Sequence, residues 1–141
     1  MDTDRNGFII LMADDDDDDY YLLKGALKNM GIAEKLRRVS DGIELLDYLL
    51  HRRRFVRKMD APRPSLILLD LNMPRMNGRQ ALVKIKSDPY LREIPVAIWS
   101  SSNNDEDKIY CQNSGAEVFM TKPSGYSELM GMIRDLIMQH F

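Results

Sequence analysis

Four consecutive aliphatic residues, Leu66 to Leu69, run straight into a carboxylate, Asp70, and then into the turn formers Asn72, Pro74, Asn77 and Gly78. An apolar run this short, with no polar position on either face, reads as a strand buried on both sides, and the turn residues behind it end the strand at Asp70. Strands covered on both faces belong to parallel sheets layered between helices. In such open sheets ligands bind outside the carboxyl ends of the strands. A charged group at that edge is a candidate functional residue; the competing role for Asp70 is to cap the turn.

The remaining chain repeats the pattern. Phe8 to Ala13 (FIILMA) is a second apolar run of strand length, and it leads into six aspartates, Asp14 to Asp19. The segment after them places Tyr20, Leu23, Leu27 and Met30 at helical spacing, with Gly31 as the stop. Leu36 to Val39 is a weaker strand. It precedes a helix with Ile43, Leu46, Leu49 and Leu50 turned inward and arginines at its C-terminal end. Beyond Gly78, Ala81, Leu82 and Ile85 mark a short helix ended by Ser87-Asp88-Pro89. Ile94 to Trp99 is another buried-type strand, closed by Ser100. Asn103 with Glu106 resembles a capping pair for a fourth helix that has only Ile109 and Cys111 to bury, so this helix is expected to be the least firmly docked. Glu117 to Thr121 is the fifth strand, and a last helix turns Leu129, Ile133, Leu136 and Ile137 inward.

Strand and helix thus alternate five times. The fold class is α/β, a five-stranded parallel sheet in the flavodoxin-like order 2-1-3-4-5 with helices on both faces. At 141 residues the chain has room for one domain with a real core and not for two ordinary ones, so residues 1–141 are expected to form a single domain. A net charge of −2 speaks against a direct nucleic-acid or membrane-surface binder. The single cysteine, Cys111, excludes an internal disulfide, and the apolar run after the polar start MDTDRN is too short for a signal-peptide core or a membrane span. A cytoplasmic protein is expected. The ten methionines read as core filler.

With that strand order, polar groups distant in sequence converge on one edge: Asp14 and Asp15 after the first strand, Asp70 after the third, Ser100 after the fourth and Lys122 after the fifth. Carboxylates a few ångströms apart repel by roughly 1 to 4 kcal/mol per pair, depending on the local dielectric, and a hard divalent cation with oxygen ligands relieves them. Mg²⁺ suits such a site, with Mn²⁺ as a substitute. The backbone carbonyl of Asn72 is placed to complete the shell. A cation beside a carboxylate, a hydroxyl and an ammonium is equipment for phosphoryl transfer, with Asp70 as the nucleophile.

These residues, within FIILMADD, LILLDLNMPRMNG, IPVAIWS and FMTKP, resemble the receiver domain of two-component response regulators over nearly the whole chain from Phe8. Finer features, LDLNMP, Gly78-Arg79 and Ile85 to Pro89, resemble the small stand-alone regulators related to those paired with cyanobacterial phytochromes. The resemblance implies Asp70 as phosphoacceptor, Asp14, Asp15, Asp70 and the Asn72 carbonyl as Mg²⁺ ligands, Ser100 as switch hydroxyl and Lys122 as phosphoryl contact. It implies a cis Lys122–Pro123 bond and an aromatic switch position at Phe119, which here lacks the hydroxyl of the more usual Tyr. The implied function is a phosphorylation-controlled switch and not a turnover enzyme. Its donor is a histidine kinase or phosphotransfer protein, and its output is binding of a downstream protein, or of a second copy, through the fourth helix, fifth strand and fifth helix.

Other functions use similar parts. An aspartyl-nucleophile Mg²⁺ phosphatase of the haloacid-dehalogenase type carries a second Asp two residues after the nucleophile, where this chain has Asn72. An FMN binder wants a phosphate loop after the first strand, where six aspartates stand. A pseudo-receiver would keep the fold as an interaction module without phosphorylation. Within the aspartate run, Asp17 and Asp18 read as solvated, and Asp16 and Asp19 as caps for the helix that follows. The basic stretch Arg52 to Lys58 reads as a helix end complementing its dipole.

Overall fold

The computed structural model describes residues 7–140; the polar start MDTDRN and Phe141 lie outside the described residues. Five strands form one parallel sheet: β1 (Ile10–Ala13), β2 (Leu36–Val39), β3 (Leu66–Leu69), β4 (Val96–Ser100) and β5 (Val118–Thr121), in the spatial order β2-β1-β3-β4-β5. Five α-helices connect them: α1 (Asp17–Asn29), α2 (Gly42–Leu49), α3 (Gly78–Ser87), α4 (Asp105–Asn113) and α5 (Tyr126–His140). Among the described residues, no helix is long and apolar enough to cross a membrane.

Successive strand residues point to opposite faces, and the two faces build two cores. Leu11, Ala13, Ile67, Leu69, Val96 and Ile98 pack with Leu45 and Leu46 of α2, Leu82 and Ile85 of α3, and Cys111 of α4. Ile10, Met12, Leu66, Leu68, Ala97 and Trp99 pack with Leu23 and Leu27 of α1 and Leu129, Ile133 and Leu136 of α5. The uninterrupted apolar runs of β1, β3 and β4 are the signature of this two-sided burial. Edge strands differ: β2 exposes Arg37 and Arg38 in part, and β5 is only half-buried.

Local chemistry sets the helix ends. The Asp16 side chain caps α1, accepting from the N–H groups of Asp18 and Asp19. Asn77 and Gln80 form a reciprocal capping box on α3. Gly31 ends α1 with φ +77°, a conformation that carries no Cβ penalty in glycine.

Several sequence expectations need correction. The cap of α4 is Asn104 and not Asn103, because the Asn104 Oδ1 is the acceptor for Glu106 and Asp107. Ile109 is 58 % exposed, so Cys111 is the one residue of α4 that is fully buried. The Arg79–Asp107 ion pair, at 2.7 Å, links α4 to α3 beside the buried Cys111. On α2, Leu45 and Tyr48 are buried along with Leu46 and Leu49, whereas Ile43 is half-buried; Leu50, just past the helix, is half-buried and packs against the core. Arg52 and Arg53 do not serve the helix dipole alone: both pair with the buried Asp47, at 3.3 and 2.8 Å, and Arg54 pairs with Glu44 at 2.8 Å. Met59 and Met138 are exposed, unlike core filler.

Candidate functional site

Register places the first two carboxylates. Ala13 is the partner of Leu69 in the β1–β3 ladder, and the Asp70 N–H donates to the Ala13 carbonyl at 2.9 Å. Asp14 and Asp70 are the next residues on their strands, so they leave the sheet side by side at the ordinary strand spacing of about 4.8 Å. The Asp14 N–H is held in turn by the Val39 carbonyl of β2 at 3.1 Å. On the other flank Ser100 is the partner of Thr121, and the Lys122 N–H donates to the Ser100 carbonyl at 2.7 Å. Lys122 therefore starts its path across the sheet edge from a fixed point.

Asp14, Asp15 and Asp70 each bring a carboxylate oxygen within 4.8 Å of the other two. Asp14 and Asp70 are buried and Asp15 is exposed. Asp70 Oδ1 accepts the N–H of Asn72 at 3.2 Å. Asp14 Oδ1 accepts the N–H of Asp16 at 2.9 Å, while its buried Oδ2 faces the Lys122 ammonium. Lys122 Nζ supplies the countercharge, 3.1 Å from Asp14 Oδ2, 2.6 Å from Asp19 Oδ2 and 3.5 Å from Asp70 Oδ2.

Two buried carboxylates at this spacing repel by about 3 kcal/mol in a protein-like dielectric. Burial, with Asp14 adding to it, pushes Asp70 up to about 6, against the pull of Lys122 and the Asn72 N–H. Burial likewise raises Asp14 above the usual carboxylate range. Burial by itself would lower the Lys122 ammonium, but the hydrogen bond to Asp19 and the charges of Asp14 and Asp70 outweigh it and hold it above its ordinary value. Three clustered carboxylate donors, two of them buried, fit a hard divalent cation. Asp14, Asp15 and Asp70 are the residues that would hold it.

The aspartate run divides into distinct tasks. Asp14 and Asp15 belong to the cluster, Asp16 caps α1, and Asp17 pairs with Arg38 at 2.7 Å. Asp19, which the sequence reads as a cap, instead makes the shortest contact to Lys122 in the site. Sequence reasoning missed it because a carboxylate in the first turn of a helix has a sufficient local reason to be there. The available signal was its phase, three residues after the cap.

Ser100 is buried at the end of β4, where its Oγ accepts the N–H of Ser102 at 3.2 Å. Phe119 is half-buried on the α2–α4 side of the sheet, and Pro123 is half-buried beside Lys122. Lys122–Pro123 is trans, contrary to the expectation, since no cis peptide bond occurs among the described residues. Trans is the favoured isomer of an X–Pro bond by about 0.5–1 kcal/mol. Lys122 reaches three carboxylates with the trans bond.

Comparison with known proteins places this geometry. Residues 10–134 match the response regulator receiver domain. Response regulator Rcp1 of Synechocystis sp. is 32 % identical over 128 residues, 91 % of this chain and 85 % of its own length. The phosphorylated cyanobacterial phytochrome response regulator RcpA superposes with a TM-score of 0.83 at 34 % identity, covering 92 % of this chain and 90 % of its own. The Mn²⁺-bound form of Rcp1 superposes with a TM-score of 0.81 at 32 % identity, covering 92 % and 91 %. The chain belongs to the response regulator receiver domain family of two-component signalling.

Proposed function

We propose that this chain is a single receiver domain that accepts a phosphoryl group on Asp70 from a phosphohistidine of a histidine kinase or phosphotransfer protein. The observation that carries the reading is the arrangement of Asp70 between the Asp14–Asp15 pair and Lys122 at the carboxyl edge of the sheet. In the transfer a carboxylate oxygen of Asp70 forms the new P–O bond while the P–N bond to the donor imidazole breaks, and the imidazole leaves with that electron pair. Mg²⁺ held by Asp14, Asp15 and Asp70, with the Asn72 carbonyl, would neutralise phosphoryl charge; the Mn²⁺-bound relative supports a divalent cation here. Lys122, already 3.5 Å from Asp70 Oδ2, carries a positive charge to the phosphoryl oxygens. Ser100, at the adjoining strand end, supplies a hydroxyl. The phosphorylated state of the relative RcpA supports a phosphorylated form of this chain.

The output follows from packing. Helix α4 is anchored by buried Cys111 and the Arg79–Asp107 pair, less than any other helix on its side of the sheet, so a pull on Ser100 at the start of its loop shifts α4 at small cost. Phe119 on β5 moves with it. The surface of α4, β5 and α5 then presents an altered face to a downstream protein or to a second copy. Incubation with acetyl phosphate and Mg²⁺, read by intact-mass spectrometry, is expected to add one phosphoryl group to the wild type and none to Asp70→Asn. Equal labelling of the two proteins would overturn the assignment.

A further inference from the structure

We propose that Asp19 is a positioning residue that competes with Asp14 and Asp70 for Lys122 and keeps the ammonium paired when a divalent cation takes those carboxylates; the inference rests on the receiver reading above. Lys122 Nζ stands among three carboxylates and is closest to Asp19, at 2.6 Å against 3.1 Å to Asp14 and 3.5 Å to Asp70. A hydrogen bond joins it to Asp19 at that distance. Asp14 and Asp70 are needed by the cation, and an ammonium resting on them competes with it charge for charge. Asp19 lies outside the trio whose oxygens cluster within 4.8 Å. It therefore gives Lys122 a partner that the cation does not use.

The alternative without Asp19 is costly at this location. Lys122 is 15 % exposed and Asp19 20 %, so an ammonium driven off by an arriving cation would have little water to replace the lost carboxylate. With Asp19 in place it moves a short way and stays paired. The anchor is itself fixed: Asp19 sits in the first turn of α1, its N–H held by the Asp16 cap, and Lys122 follows directly from the β5 ladder. Trp99 lines the small cavity of about 90 Å³ that Asp19 and Lys122 share, so its emission senses the pair.

The test is a double-mutant cycle on Mg²⁺ binding, measured by calorimetry and by Trp99 emission in wild type, Asp19→Asn, Lys122→Met and the double variant. Loss of one carboxylate weakens cation binding by simple charge to a similar degree in both backgrounds. The anchor adds a loss that exists only while Lys122 is present, expected to be about tenfold in the dissociation constant. Asp19→Glu, which keeps the charge and the partner, is expected to recover most of it. Urea unfolding of the same four proteins in EDTA is expected to show the two residues coupled without metal. Equal weakening by Asp19→Asn with and without Lys122, or no weakening, overturns the anchor while leaving the receiver reading intact. Absence of saturable Mg²⁺ binding in the wild type overturns both.

Discussion

Gly78 stands where the backbone at the end of β3 passes close against a helix. A Cβ built on it lies 2.2 Å from the carbonyl oxygen of Asp70, 2.7 Å from the Cα of Leu71 and 2.9 Å from the carbonyl carbon of Asp70. Ordinary contact is about 3.5 Å, so Gly78→Ala demands a shift of roughly 1 Å. The obstacle is main chain between buried Asp70 and Leu71, with no flexible side chain to swing away. Its N–H also donates to the Leu71 carbonyl at 3.0 Å, which pins the helix to the turn. Two effects oppose one another. Alanine gains up to about 1 kcal/mol in helix propensity, whereas overpacking against an unyielding neighbour costs about 3 kcal/mol. The net is a loss of about 2 kcal/mol, together with weaker cation binding because Asp70 is displaced. Urea unfolding and Mg²⁺ titration measure the two consequences. Gly25→Ala in α1 and Gly131→Ala in α5 are controls, since a Cβ at either meets nothing within 4 Å, and both are expected to stabilise the fold. Gly78→Ala as stable as those controls would refute the close-approach reasoning.

Two further substitutions test the frame. The buried Tyr48 hydroxyl donates to the Pro62 carbonyl at 2.8 Å, and burial raises it from 10.0 to about 12. A raised value in the fold gives stability that is whole below pH 10 and lost as pH climbs toward about 12, a swing of about 3 kcal/mol. Alkaline unfolding should therefore be steeper in wild type than in Tyr48→Phe, which loses about 1 kcal/mol at neutral pH; parallel curves would remove the assignment. Asp16→Ala removes the α1 cap and is expected to cost about 1 kcal/mol in urea unfolding, against no change if Asp16 is merely solvated.

The elements legible in the sequence were those whose residues had no alternative. Leu66 to Leu69 can be buried only as a central strand, and Asp70 at its end can then lie only at the sheet's carboxyl edge. Five strand–helix alternations suit the order β2-β1-β3-β4-β5, and the sheet has it. The misreadings occur where local chemistry allows two answers. Asn103 and Asn104 are both competent caps, and only the path out of β4 selects the second. The arginines after α2 fit a helix end by composition, but buried Asp47 on α2 takes two of them. An X–Pro bond is permitted either isomer, and nothing in residues 122 and 123 themselves chooses.

The six aspartates show why composition falls silent where register speaks. Chemically they are the same group, and any account by residue type must treat them alike. The β1 ladder ends at Ala13, so the next residue is carried to the sheet edge and buried beside Asp70. Two residues later the chain turns, the Asp16 side chain accepts from Asp18 and Asp19, and helical phase begins. From that point rotation about the helix axis decides: Asp17 swings toward Arg38 on β2, and Asp19 toward Lys122 beyond β5. β2 and β5 are the two edges of the sheet, so carboxylates two apart in sequence are sent to cations on opposite sides. The charge of the run explains neither contact. What the site uses is the distance of each carboxylate from the last paired residue of β1, and that is set by the ladder that folds Ala13 against Leu69.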